Sequence, residues 1–238
     1  MKWEVQLSGD KSDLKELSKS LKDDELGVAE QNGQYFLESE KFNGLATYKE
    51  VTSVATEILS LLTGSIRLVL GGRKPIKIAS IIRIRKDGRR DIFGISSVPV
   101  NTSIRTTSEI RGSNGTIKMS NQADEVLKQV KSGISDKKVA KALRLFGTNK
   151  HDWVSLYRLY EVIEEDIGGT EKIPRKKWAT KKSIKRFKHT ANSPTAIGDA
   201  ARHGKQKNLP PKNPMKLNEA KCLIEFILHN WLRSKLGD

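Results

Sequence analysis

The apolar residues of this 238-residue chain lose their period-two spacing near residue 100 and do not regain it, which limits the fold more than any other feature. Trp3, Val5 and Leu7 alternate with Lys2, Glu4 and Gln6, the pattern of a half-buried strand. Leu14, Leu17 and Leu21 then share one face of a short helix. Two strand-like runs follow, hinged at Asn32-Gly33, a pair suited to the positive φ angles of a type I′ turn. Thr47 and Glu50 are spaced as a capping box, in which each side chain satisfies an orphan amide of the other residue. The helix opened there carries Val51, Val54, Ile58, Leu61, Leu62, Leu68 and Val69 along one face and stops at Gly71-Gly72. Past Pro75, Ile76, Ile78, Ile82 and Ile84 form one face of a strand and Lys77, Arg83 and Arg85 much of the other. Asp87-Gly88 turns that strand into a partner through Ile92, Phe93 and Ile95. This order of elements specifies an α+β fold, an antiparallel sheet with helices on one face.

Between Pro99 and Asn121 the chain is rich in Ser, Thr, Asn and Gly, including RGSNG at 111–115, and has no sustained period. We read an α+β module over 1–105, a linker over 106–120 and an all-α helical bundle over 121–238. The length supports two domains, because a single domain usually holds about 100–150 residues. In the bundle, Val126, Leu127 and Val130 precede Gly133, and Val139, Leu143 and Phe146 precede Gly147. Trp153, Leu156, Tyr157, Tyr160, Ile163 and Ile167 trace a broad apolar face, and helical spacing makes these rings core rather than base-stacking platforms. Leu217, Ala220, Leu223, Ile224, Ile227, Leu228, Trp231 and Leu232 mark a long final helix. The lone cysteine, Cys222, allows no intrachain disulfide and points to a reducing compartment. With no apolar signal core and no uncharged stretch near the ~20 residues of a membrane span, the expectation is a cytoplasmic protein without a membrane partner.

Charge is concentrated at one end. Residues 171–238 carry 17 cations against 5 acids, whereas residues 1–100 carry 16 against 14. Nine of those cations fall between Lys172 and Lys188, a segment without a single acid: Lys172, Arg175, Lys176, Lys177, Lys181, Lys182, Lys185, Arg186 and Lys188. So dense a field repels itself unless an anion or the protein's own acids answer it. The expected partner is RNA or another polyanion, held by this run together with Asn192 and Lys205. Trp178, interleaved with the lysines, is a candidate stacking ring for a single strand.

His189, Arg202 and His203 follow the run and are the candidate catalytic residues. Phosphodiester cleavage without a metal needs a base, an acid and fixed positive charge for the developing anion. Imidazoles, which titrate near ~6.5 when unperturbed, suit the first two roles, and Arg202 or Arg186 offers a bidentate fork for phosphate. Ser193 as cap, Pro194 as first helical residue and Gly204 as left-handed end predict a short helix over 194–203, with Arg202 and His203 in its last turn.

Ala-Arg-His-Gly at 201–204, a connecting segment and LNEAKCLIEFILHNWL at 217–232 resemble the end of a HEPN domain, over about half the chain from roughly Gln122. That resemblance implies a helical bundle, an RNase site formed by an Arg and a His across a dimer, and hence a homodimer through the helical domain. The family's usual motif sets the His four to six residues beyond the Arg and its polar neighbour. Here Arg202 adjoins His203, and Arg186 precedes His189 by three positions, so the resemblance also admits RNA or nucleotide binding without cleavage. The segments RFKHTANSP, ARHGK and PPKNPM further resemble a group of bacterial proteins, from which no activity follows.

Other chemistries lack their spacing. His151, His189, His203 and His229 form no HxxxH pair, so no metal is expected. Neither Gly71-Gly72 nor GSNG at 112–115 is a nucleotide-binding fingerprint, and no cofactor is expected. The alternative to polyanion binding is a non-catalytic regulatory protein whose basic bundle docks on an acidic partner. The bundle's own acids Glu161, Glu164, Glu165 and Asp166 could equally answer the basic run.

Overall fold

The structure, a computed structural model, describes residues 2–71, 76–94, 115–148, 151–206 and 208–237. These form two compact units, Met1–Thr63 with Val69–Leu127, and Gly64–Leu68 with Lys128–Asp238. Gly72, Pro75, Ile95 and most of the 106–120 segment, which figured in the sequence reading, lie outside the described residues.

The first unit is built on strands β1 (Lys2–Ser8), β2 (Leu26–Gln31), β3 (Gln34–Ser39), β4 (Lys77–Ile84) and β5 (Arg90–Gly94). They form one antiparallel sheet in the order β2-β3-β1-β4-β5. Register explains the alternation. Val5 pairs with Leu37 and Ile81, and Leu7 with Tyr35, so the apolar face of β1 continues across its neighbours into the core. Asn32 (φ 52°) and Gly33 (φ 73°) both take the positive angles that the hairpin turn requires. Helix α1 (Lys11–Ser20) buries Leu14 and Leu17 and is capped by the Asp10 carboxylate. The Thr47–Glu50 capping box is formed: Thr47 Oγ1 accepts the Glu50 amide at 3.3 Å, and Glu50 accepts the Thr47 amide at 2.9 Å. It opens α2 (Tyr48–Leu70), which ends at Gly71 with φ 65°. By length and composition α2 could cross a bilayer, but 44% of its most apolar stretch is buried inside the protein. One strand position departs from the simple pattern: Glu4, on the polar face of β1, is 4% exposed and held by Arg90 at 2.7 Å.

Helix α3 (Gly115–Ser135) starts inside the stretch read as linker. The second unit continues with α4 (Lys137–Gly147), α5 (Trp153–Asp166), α6 (Lys172–Arg175), α7 (Lys181–Ala191), α8 (Pro194–Ile197) and α9 (Leu217–Leu236). Helix α5 packs against α4, α7 and α9. Trp153, Tyr157 and Tyr160 are buried, as their spacing indicates, and so are Ile224, Leu228 and Trp231 of α9. A Cβ at Gly64 would run into the Leu143 carbonyl, so glycine there permits backbone contact inside this unit.

Candidate functional site

Rotation of α7 is set by its apolar face. Ile184, Phe187 and Ala191 are buried, and the Phe187 ring lies 6.1, 5.7 and 5.8 Å from those of Trp153, Tyr157 and Tyr160. With that face inward, Lys181, Lys185, Lys188, His189 and Asn192, three or four residues apart, line a groove of about 740 Å³. Thr170, Glu171 and Pro174 supply further lining, as do His203, Gln206 and Asn208.

The segment carrying His203 is not the expected helix. Helix α8 stops at Ile197 because Gly198 turns to φ 60°, and a single 3-10 turn leads to extended backbone at Ala201. Arg202 and His203 therefore do not occupy a last helical turn. Ser193 makes no side-chain cap either. The side-chain Oε1 of Gln206 accepts from the Thr195 amide and the Ser193 hydroxyl, each at 3.1 Å, and takes over the capping role. The Arg202 amide donates to the Ala191 carbonyl at 2.8 Å, so the strand of chain after α8 returns to the end of α7. That return brings His203 to the same groove as His189.

His189 bonds through Nε2 to the Leu209 carbonyl at 2.7 Å. A carbonyl only accepts, so Nε2 carries the proton and, in the neutral ring, Nδ1 keeps the lone pair. Lys188 reaches Glu164 and the Thr170 hydroxyl, each at 3.3 Å, and its ammonium lies 5.2 Å from the Tyr160 ring. Burial, helped by the nearby Glu164 carboxylate and opposed by the Thr170 hydroxyl, raises the Tyr160 phenol above its ordinary range. Asn192 Nδ2 donates to the Lys188 carbonyl at 2.8 Å and to Tyr157 at 3.4 Å, while its Oδ1 is buried without a donor.

Several cations expected to face a ligand are engaged elsewhere. Arg202 is not brought to the groove: it pairs with Glu161 at 2.7 Å and lies over the Tyr157 ring at 4.3 Å. Arg186 donates to the Asn213 and Pro214 carbonyls and grips both oxygens of Glu219. Its fork clamps α7 to the start of α9 and has little left for phosphate. The Glu219 carboxyl is held below the usual range by Arg186 and the Lys216 amide. Trp178 is 8% exposed under Lys176, so its ring is an anchor and not an open stacking face. Lys181 pairs with Glu171 at 2.8 Å and holds that carboxyl low as well. All four acids of the α5 cluster find cations: Glu161 takes Arg202, Glu164 takes Lys188, Glu165 takes Lys138 and Asp166 takes Lys235.

The remaining cations are not neutralised in this way. Among the described residues, Lys172, Lys177, Lys182, Lys185 and Lys205 are exposed and have no ion pair, and Arg175 meets only the long-range field of Glu171. Of these, Lys185 lines the groove. Thr170, Glu171, Pro174, Gln206 and Asn208 were missed by sequence reasoning, because each comes from a loop or short turn whose position no periodicity reports. The α7 stripe could have been read from its three- and four-residue spacing. Among the described residues no cluster of His, Cys, Asp and Glu is arranged to hold a metal ion. Comparison of the chain with protein-family models, curated proteins and solved structures finds no match.

Proposed function

We propose that the helical unit binds RNA or another polyanion in the groove beside α7. The observation that carries this reading is that Lys185, Lys188, His189 and His203 share one recess whose only acidic lining residue among those described, Glu171, is already paired. Phosphate oxygens suit such a wall, because they accept from ammonium and imidazole and supply the charge that Lys185 lacks. The test is anisotropy of labelled single-stranded RNA across a salt series. Binding should weaken linearly on a log–log plot, with a slope of about −0.7 per phosphate contact. Tight binding that ignores salt would favour the alternative, docking on a protein through apolar contacts.

Metal-independent cleavage is a second reading, favoured by two imidazoles lining one groove. It predicts hydrolysis of mixed single-stranded RNA in the presence of chelator, lost in His189→Ala and in His203→Ala. Equal background cleavage by all three proteins would leave binding alone.

A further inference from the structure

We infer that the ligand of this groove is a short single-stranded stretch of nucleic acid, about two or three nucleotides held along one helical wall; the inference rests on the polyanion reading above. Three observations carry it.

The first is the repeat of the wall. Lys181, Lys185 and the Lys188-His189 pair recur once per turn of α7, about 5.4 Å apart along the axis. Successive phosphates of an extended single strand are spaced similarly, so one strand laid along α7 meets one lysine position per phosphate: Lys185, which has no ion pair among the described residues, flanked by Lys181 and Lys188, which share their charge with Glu171 and Glu164. A lone phosphate uses a single position, and a duplex curves its backbone away from a straight row.

The second is the size of the recess. About 740 Å³ lies within the range of pockets that enclose small organic ligands, roughly 300–1,000 Å³. It suits a few nucleotides that bring backbone and base together. A duplex keeps its base edges paired and is read by shape from outside.

The third is Asn192, at the end of the row. Its amide is oriented by the Lys188 carbonyl, which needs the Nδ2 donor, and this leaves Oδ1 as a buried acceptor without a partner. Ionised phosphates bring only acceptors. Nucleobase amides and amines, or a ribose hydroxyl, bring the donor that this atom lacks once the Asn192 amide turns its enclosed Oδ1 toward the groove. A ligand with phosphates for the lysines and an N–H or O–H for Asn192 is a nucleotide strand and not a bare polyanion.

The experiment compares labelled mono-, di-, tri- and hexaribonucleotides, a hairpin duplex and inorganic polyphosphate at one salt concentration. Affinity should rise about tenfold or more from one to three nucleotides and change by less than about threefold from three to six. Duplex and polyphosphate should bind about tenfold more weakly than the trinucleotide. Lys185→Ala, at an exposed residue without an ion pair, should flatten the trinucleotide salt slope by about 0.7. Duplex or polyphosphate binding as tight as that of the trinucleotide would overturn the single-strand inference and leave the polyanion reading standing. Affinity that keeps climbing with length would do the same, by placing the ligand along the whole basic run. Salt-sensitive binding to none of the probes would overturn both.

Discussion

The two units treat positive charge in opposite ways. In the sheet, an acid reaches each arginine around the β4–β5 hairpin ends: Asp91 takes Arg83 at 2.6 Å and Arg85 at 2.8 Å, and Glu4 takes Arg90 at 2.7 Å. The guanidiniums of Arg85 and then Arg83 hold the Asp91 carboxyl down at about 2. In the bundle, the acids of α5 and Glu219 absorb Lys138, Lys188, Arg202, Lys235 and Arg186, yet the outer face of α7 keeps Lys182 and Lys185 without a carboxylate. Even with Glu161, Glu164, Asp166 and Asp136 drawn in from earlier helices, the five acids of residues 171–238 do not match that segment's 17 cations. Charge balance is thus a structural device in the sheet and an unfinished one in the bundle, where an external anion would complete it.

The largest test of this contrast is Phe187→Ala. Removing a fully buried ring from between Trp153, Tyr157 and Tyr160 should cost about 3–5 kcal/mol, read from guanidinium unfolding, and should release the rotation of α7. Groove binding should fall with it. Undiminished binding by the unpacked variant would mean that the basic run acts as an unstructured cationic segment.

A sharper test compares neighbours. Arg186→Ala removes the Glu219 clamp and two carbonyl contacts and should lower the thermal midpoint by several degrees. Lys185→Ala should leave the midpoint within about a degree and weaken ligand binding instead. Equal effects of the two on stability would erase the distinction between a structural and an open cation.

The smallest effect is expected on acidification. Asp91 has a folded pKa of about 2 against an ordinary value near ~3.9, so its contribution is complete above the ordinary value. That contribution is lost as pH falls from about 4 to about 2. Glu171 and Glu219 are also depressed, so the bundle too loses support only below the usual carboxylate range. Carboxyl NMR titration checks the order, and an Asp91 midpoint near the ordinary value would show that the two arginines do not hold it.

Much of the framework was legible in the residues because the signals are local. The alternation of β1, the turn at Asn32-Gly33, the Thr47–Glu50 box and the helical spacing of Trp153, Tyr157 and Tyr160 each act within a few positions, and each appears in the structure as read. The 194–203 helix failed on a local ambiguity. Gly198 and Gly204 both offered a stop, and Gly198, with its φ of 60°, is where the chain turns. Of the site, the α7 stripe was readable and the company it keeps was not.

Residue order alone settled the strands, the long helices and the Asn32-Gly33 turn, and that the C-terminal third carries more positive charge than its own acids can match. Which cations remain open was decided only by the tertiary fold. Arg186 meets Glu219 from 33 positions away, Arg202 meets Glu161 from 41, and His189 meets the Leu209 carbonyl from 20. Ion pairs and hydrogen bonds act over a few ångströms of space, and chain separation of this length sets no such distance until the helices have packed.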